Sequence, residues 1–404
     1  MKKKICTIAG EIEAKLIAIR RELHQYPEVA LKEERTSQII ASYLKQIDNL
    51  EIMEHAAEGT GIISVLKGKK QNGKCVLLRA DIDALPVTEK VETEYKSKNI
   101  GYMHACGHDA HTTWIIDAAM ILSKLQDEIS GTVKFVFQPG EEKGLGAKAL
   151  IEKDGILENP KVDAAFAAHA WPSIKSGKIA IASKYAFGCV GAFSIVLKGS
   201  GGHGSWPHRC QNSITAACQI CSELQNINAN KIDPVEPRVI SVGAIHAGEK
   251  GVGNIIPDKC TISGTMRATS KKVINQMGDE IYRVAESISK LHGLEHNIKV
   301  HFGINAVENN KELVKLSYDT IIELMGKNSC EVLEKSNLGG ENFAEFSSRV
   351  PGCYIFVGTA TDRTEGKFEL HSPYFELDEK VLASTAAIMS FMTMNYLDGG
   401  ILPR

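Results

Sequence analysis

No stretch of this 404-residue sequence approaches the roughly 18 apolar residues of a membrane span, so no helical membrane anchor is expected. The three lysines of Met1 to Lys4 precede an apolar segment, Ile5 to Ile12, that is too short and interrupted for a signal peptide. A cytoplasmic protein is therefore expected. A basic excess is missing as well: 47 Lys and Arg stand against 49 Asp and Glu, a formal net charge of −2. Nucleic acid and other polyanions are poor partners for such a surface. The ten cysteines have no regular spacing, which excludes a disulfide framework and leaves reduced thiols. Cys218 and Cys221 form a CxxC with no second pair, inside an expected helix, and read as packing. Internal repeats and low-complexity linkers are absent too.

What is present is a rhythm. At ~150 residues per domain the length suits two or three domains. Helical apolar spacing over Ile12–Leu23 and Glu34–Leu44 is followed by short β-rich runs at Ile62–Leu66, Val76–Leu78, Val133–Phe137 and Val162–Ala168, with a helix over Thr112–Leu125 between them. Alternation of this kind predicts a three-layer α/β domain with a largely parallel or mixed sheet. From about Gly188 the order becomes β-α-β-β-α-β: Phe193–Leu197, Ser213–Asn226, Val239–Ile245, Cys260–Arg267, Lys272–Leu291 and Asn297–Phe302. That is a ferredoxin-like α+β unit. The α/β pattern resumes at Leu313–Met325 and Tyr354–Val357, so residues 188–303 are expected as an insertion between 1–187 and 304–404.

The densest chemistry is MHACGHDAH, which places His104, Cys106, His108, Asp109 and His111 within nine residues, just before a helix. Thiolate, imidazole and carboxylate are what borderline-soft divalent metals take. In FVFQPGEE a strand stops at Pro139 and presents Glu141 and Glu142 in different directions. One carboxylate can then bind metal while its neighbour acts as a general base on water. His169 follows a buried-looking strand and alone reads more readily as a core residue. His371, in FELHSPYF, has no independent signal. LLRADIDALP supplies Asp81 and Asp83, and Asp83 is expected to orient a ligand histidine from behind.

Taken in order, RRELHQYPE, RADIDALPVTE, MHACGHDAH, QPGEE, GGHGSWPH, GNIIPD, GTMRA and GGENFA resemble the hippurate hydrolase and auxin-conjugate hydrolase branch of the aminoacylase-type metallopeptidases. The resemblance spans nearly the whole chain. It implies two divalent metal ions (Zn, Mn or Co) held by Cys106, His108, Glu142, His169 and His371, with Glu141 as the base. It implies that the inserted domain mediates a homodimer. Asn254, Arg267 and Gly340 match positions associated with substrate recognition, where an arginine fork can grip a carboxylate. His203, on a glycine-crowded loop, is expected to donate to the oxyanion in the partner subunit's site. One departure is Asn342, where the family often has Asp; this loss of a negative charge near the expected substrate pocket bears on substrate preference.

The expected activity is cleavage of the amide bond of small N-acyl amino acids. Relatives that act on dipeptides or on N-acetyl-diaminopimelate would share the mechanism. Two readings from other classes compete: a cysteine hydrolase built on Cys106, which would survive chelation, and a catalytically silent metal-binding protein, which would have no use for Glu141 beside Glu142.

Overall fold

The computed structural model describes residues 1–399, which divide into two compact units. The first comprises Met1–Ala186, Glu308–Lys335 and Asn342–Arg404; the second comprises Phe187–Val307 and Ser336–Glu341. The expected insertion was 188–303. The short return of Ser336–Glu341 to the second unit has no counterpart in that expectation.

The first unit is built on an eight-stranded mixed sheet, in the order Leu50–Ala56, Gly61–Lys67, Ser130–Gln138, Lys70–Asp81, Ala164–Lys175, Gly352–Ala360, Ile179–Ala182 and Cys330–Leu333. Its central strands, from Ser130–Gln138 to Gly352–Ala360, are mutually parallel. Every residue of Gly352–Ala360 is buried, and all but the first of Ser130–Gln138, so both faces of the sheet are covered. Helices Lys2–Gln25, His108–Lys124 and Val381–Leu397 pack on one another and share one core with the sheet. Glu34–Leu44 is a helix, and Lys2–Gln25 is longer than the apolar spacing suggested.

The parallel register decides where chemistry can gather. Asp81 pairs with Gln138 and Arg79 with Ala167, so Asp83, Glu141 and His169 come to the same edge of the sheet. This is the carboxyl edge, where open α/β sheets carry their sites. His169 lies within its strand, paired with Phe356, and not after it as the apolar run suggested.

The second unit is a four-stranded antiparallel sheet in the order Arg238–Ala247, Lys259–Ala268, Cys189–Lys198 and Glu295–Phe302, backed by helices Ser213–Asn230 and Lys271–Leu291. Both helices start on side-chain caps: Asn212 accepts from the N–H groups of Ile214 and Thr215, and Ser270 from that of Val273. The connectivity is the ferredoxin-like one read from the sequence. Among the described residues, no helix is long and apolar enough to cross a membrane.

Candidate metal centre

The Cys106–His108 corner depends on a glycine. Gly107 adopts φ +85°, and a Cβ there would come within 2.9 Å of Ala170 Cβ, on the strand that carries His169. Only glycine allows both the left-handed turn and the close approach. The helix that starts at His108 is moored by Asp109, whose carboxylate pairs with Arg20 at 2.8 Å and His24 at 2.7 Å; His24 in turn meets Glu89 at 3.2 Å. All four residues are buried. Despite burial, Arg20 and His24 hold the Asp109 carboxyl well below the usual range. The RRELH motif thus moors the Cys106–His108 corner.

Two histidines are oriented by hydrogen bonds at Nδ1. His108 donates to the backbone carbonyl of Asp83 at 2.8 Å, and His169 to that of Ala170 at 2.8 Å. Each bond fixes the tautomer that turns an Nε2 lone pair inward. His169 Nε2 lies 3.5 Å from Cys106 Sγ, and His371 Nε2 lies 3.3 Å from Glu142 Oε1. His371 has φ +66°, a strained value for a residue with a Cβ, and is held there by a bond from its N–H to the carbonyl of Ala105. Asp83 does more than orient a histidine: its two oxygens accept the backbone N–H groups of Glu141 and Glu142, each at 3.0 Å. One carboxylate thereby sets the direction of both glutamates.

Among the described residues, four overlapping sets have their donor atoms within 4.8 Å of one another: Cys106, His108 and His169; Cys106, Glu142 and His371; His108, Glu141 and Glu142; and Asp81, His108 and His111. The residues fit divalent ions. His108 Nε2 is buried without a hydrogen-bond partner, as a ligand nitrogen should be. The pocket also attracts positive charge: although burial opposes it, Asp81 and Cys106 push the His108 pKa well up. Burial raises the Cys106 thiol well above its ordinary value, and His371 and His108, against burial, hold Glu142 below its own.

His104 and His111 belong to the same motif but are placed otherwise. His111 Nδ1 donates to Asp81 at 2.6 Å and Nε2 accepts from the N–H of Ala170 at 2.8 Å, so both nitrogens are engaged. Burial pushes His104 down to about 3, so it stays neutral in the core. Asn342 is also buried. Its Oδ1 accepts from Arg79 and from Gln138, each at 2.8 Å, and its backbone N–H donates to Glu141 Oε1 at 3.2 Å. Composition and spacing gave no hint of Arg79 or Gln138.

The remaining expected residues lie in the second unit. His203 and Asn254 meet on a small ribbon, where His203 pairs with Ile255 and the Asn254 carbonyl accepts from the N–H of Gly204. His203 is exposed, and its Nδ1 accepts from the N–H of Ser205 at 3.1 Å, which leaves the neutral ring's proton on Nε2 as a donor. Arg267 and Gly340 both flank Val190: Arg267 is its register partner, and a Cβ on Gly340 would lie 2.6 Å from Val190 Cγ2.

The family model described as peptidase family M20/M25/M40 matches residues 77–394. The chain is 36% identical to thermostable carboxypeptidase 1 of Saccharolobus solfataricus, over 98% of each chain. It is 34% identical to the N-acetyl-L-cysteine deacetylase of Bacillus subtilis, over 96% of this chain and 89% of that one. The crystal structure of a dinuclear metal-binding peptidase of the same family from Bacillus subtilis superposes with a TM-score of 0.84 at 32% identity, covering 97% of this chain and 100% of the other. The chain belongs to peptidase family M20/M25/M40 and is a metal-dependent hydrolase.

Proposed function

We propose that this protein hydrolyses small N-acyl amino acids to a carboxylic acid and a free amino acid, using two divalent metal ions and Glu141 as general base. The observation that carries the reading is the overlap of the donor sets at Cys106, His108 and Glu142, with Glu141 beside them. Cys106, His108, Glu142, His169 and His371 would hold the ions. Bound there, divalent ions supply Lewis-acid polarisation of the amide carbonyl and bring the pKa of a coordinated water to about 7.

The protein's own residues do the rest. Glu141 takes the proton of the attacking water and hands it to the departing amine, a role that suits a carboxylate aimed by Asp83 and steadied by the Asn342 N–H. Burial of Cys106 among imidazoles and a carboxylate suits a ligand better than an exposed nucleophile. Relatives named for carboxypeptidase and N-acetyl-L-cysteine deacetylase activity support an amide of an amino acid, without singling out benzoylglycine (hippurate).

We further read the protein as a cytoplasmic homodimer in which His203 of a second copy donates Nε2–H to the oxyanion, with Asn254, Arg267 and Gly340 at the substrate. Arg267 is suited to grip the product's carboxylate, so Arg267→Ala should cost free-acid substrates roughly tenfold or more and spare their amides. Equal losses on both would make Arg267 structural. The test of the activity is metal content, measured together with amino-acid release from a panel of benzoylglycine, N-acetyl-L-cysteine and dipeptides, with and without chelator. Release that survives full removal of metal would refute the reading.

A further inference from the structure

We propose that Glu33 is a positioning residue for the loop that presents Glu141, acting on it through the Gly140 N–H; the proposal rests on Glu141 being the base. The loop runs from the end of strand Ser130–Gln138 to a short helix that starts at Ala147. It has little to hold its shape from within. Gly140, Gly144 and Gly146 take φ of +68°, +68° and +76°, and glycine is the residue whose backbone turns most freely. The glutamates themselves sit on one turn of 3-10 helix, Glu141–Lys143. Three successive N–H groups, those of Gly140, Glu141 and Glu142, go instead to two carboxylates outside the loop. Gly140 donates to Glu33 Oε1 at 2.9 Å, and the next two donate to the oxygens of Asp83. Glu33 is fully buried and stands outside the four donor sets of the metal centre.

Glu33 is itself well anchored. It is the residue before helix Glu34–Leu44, its carbonyl accepts the N–H of Ser37 at 2.9 Å, and the helix sets Ile40 and Leu44 into the core. Its Oε1 also accepts the N–H of Leu31 at 2.9 Å, and its Oε2 accepts the Thr60 hydroxyl at 2.8 Å. Both oxygens are engaged, so the carboxylate cannot swing without breaking a buried hydrogen bond. Leu31 has φ +64°, a strained value for a residue with a Cβ, and its side chain lies over the same turn: a Cβ on Gly140 would come within 3.1 Å of Leu31 Cδ2. Glu33 thus fixes the start of the loop to one helix, as Asp83 fixes the next two residues to the end of a strand. Without that first bond, the glycine that delivers Glu141 is free to turn.

What the loop needs from Glu33 is an acceptor at the right reach, and not a charge. Burial raises the Glu33 carboxyl above its ordinary range, and every partner it has is a neutral N–H or O–H. Reach is another matter. A displacement on the order of 1 Å at a reacting group is enough to cost ~100-fold in turnover.

The test sets two conservative variants against each other, on the N-acyl amino acid from the panel that is turned over fastest. Glu33→Gln keeps the length and an oxygen for both N–H groups, and the Thr60 hydroxyl can turn to accept from the new amide, so kcat should stay within about threefold of wild type. Glu33→Asp keeps the charge and a favourable residue before a helix, but draws the oxygens back by about one C–C bond, ~1.5 Å. It should lower kcat about 10- to 100-fold with KM within about threefold, at unchanged metal content and circular dichroism. In the Glu141→Gln background, Glu33→Asp should change residual turnover by less than about twofold, because the carboxylate it aims is already disabled. An equal loss in both backgrounds, or loss of metal from Glu33→Asp, would make Glu33 a support of the fold or of the metal centre and overturn the proposal. So would Glu33→Asp within about twofold of wild type. Glu33→Gln, closest in shape, keeps the proposal open to refutation even where the shorter side chain fails to fold: a loss above about tenfold in this variant would mean that charge, and not reach, is what matters. A wild type without chelator-sensitive turnover defeats the hydrolase reading and this proposal together, whereas an active wild type with any of these contrary outcomes defeats the positioning role alone.

Discussion

Glu141 and Glu142 are adjacent in the chain, yet their surroundings differ. Glu142 faces His371 and His108, while Glu141 takes the Asn342 N–H on its carboxylate. Glu141→Gln should therefore keep both metals and the fold and lose ~10²–10⁴-fold in turnover, since the amide matches the carboxylate in shape but cannot accept the proton. Metal analysis beside the rate measurement checks this: loss of metal would mean that the two roles are exchanged. At this scale the sequence was legible where candidate ligands cluster. Cys106 and His108 announce themselves by density, and the glutamate pair by its place after a strand. His371 does not, because its fitness as a ligand comes from a strained φ and a bond to Ala105 that are made only in the fold. The hydrogen bonds among Arg79, Gln138 and Asn342 were hidden for a similar reason: their members come from three distant segments and touch only when the parallel register is set.

Helix His108–Lys124 carries an oddity in its interior. Asp117 is fully buried, and neither of its oxygens has a hydrogen-bond partner. Burial drives its pKa well above 3.8, so the folded protein resists ionisation of this carboxyl. As pH rises past 3.8 the unfolded chain ionises first and gains free energy that the folded state does not share. Asp117→Ala should consequently stabilise the protein by about 1 kcal/mol or more, with a larger rise in melting temperature at pH 7 than at pH 4. A gain that shrinks as pH rises would contradict the burial argument. Elements were legible to the extent that they kept one face wet. The amphipathic helices of the second unit were found with nearly correct bounds. Val381–Leu397, buried all round, has no 3.6-residue contrast to read, and the edge strand Leu50–Ala56 is too exposed to show an apolar alternation.

For the whole molecule, the placement of His203 on an exposed ribbon of the second unit yields a test that neither residue gives alone. Inactive Glu141→Gln and inactive His203→Ala proteins, mixed under subunit exchange, should regain up to about half the wild-type activity per heterodimer if His203 acts on the partner's site. Verified heterodimers without activity would place His203 in its own subunit's site or outside catalysis. The parallel pairing of Gly352–Ala360 with Ala164–Lys175 has a consequence for how the protein is made. Gly352 faces Ala165 across the sheet, and at ~5–20 residues per second a ribosome needs roughly 10–40 s to deliver the later strand. Through that interval the earlier strand, AAFAAHAWPSIK, presents an unpaired apolar edge to solvent, the kind of template on which nascent chains aggregate. A chain stopped after Val350 should stay in that state, insoluble and unable to bind metal, as fractionation and metal analysis would reveal. Substitutions along this seam would then register first as lost soluble yield and greater chaperone demand, before any change in the activity of the molecules that do mature.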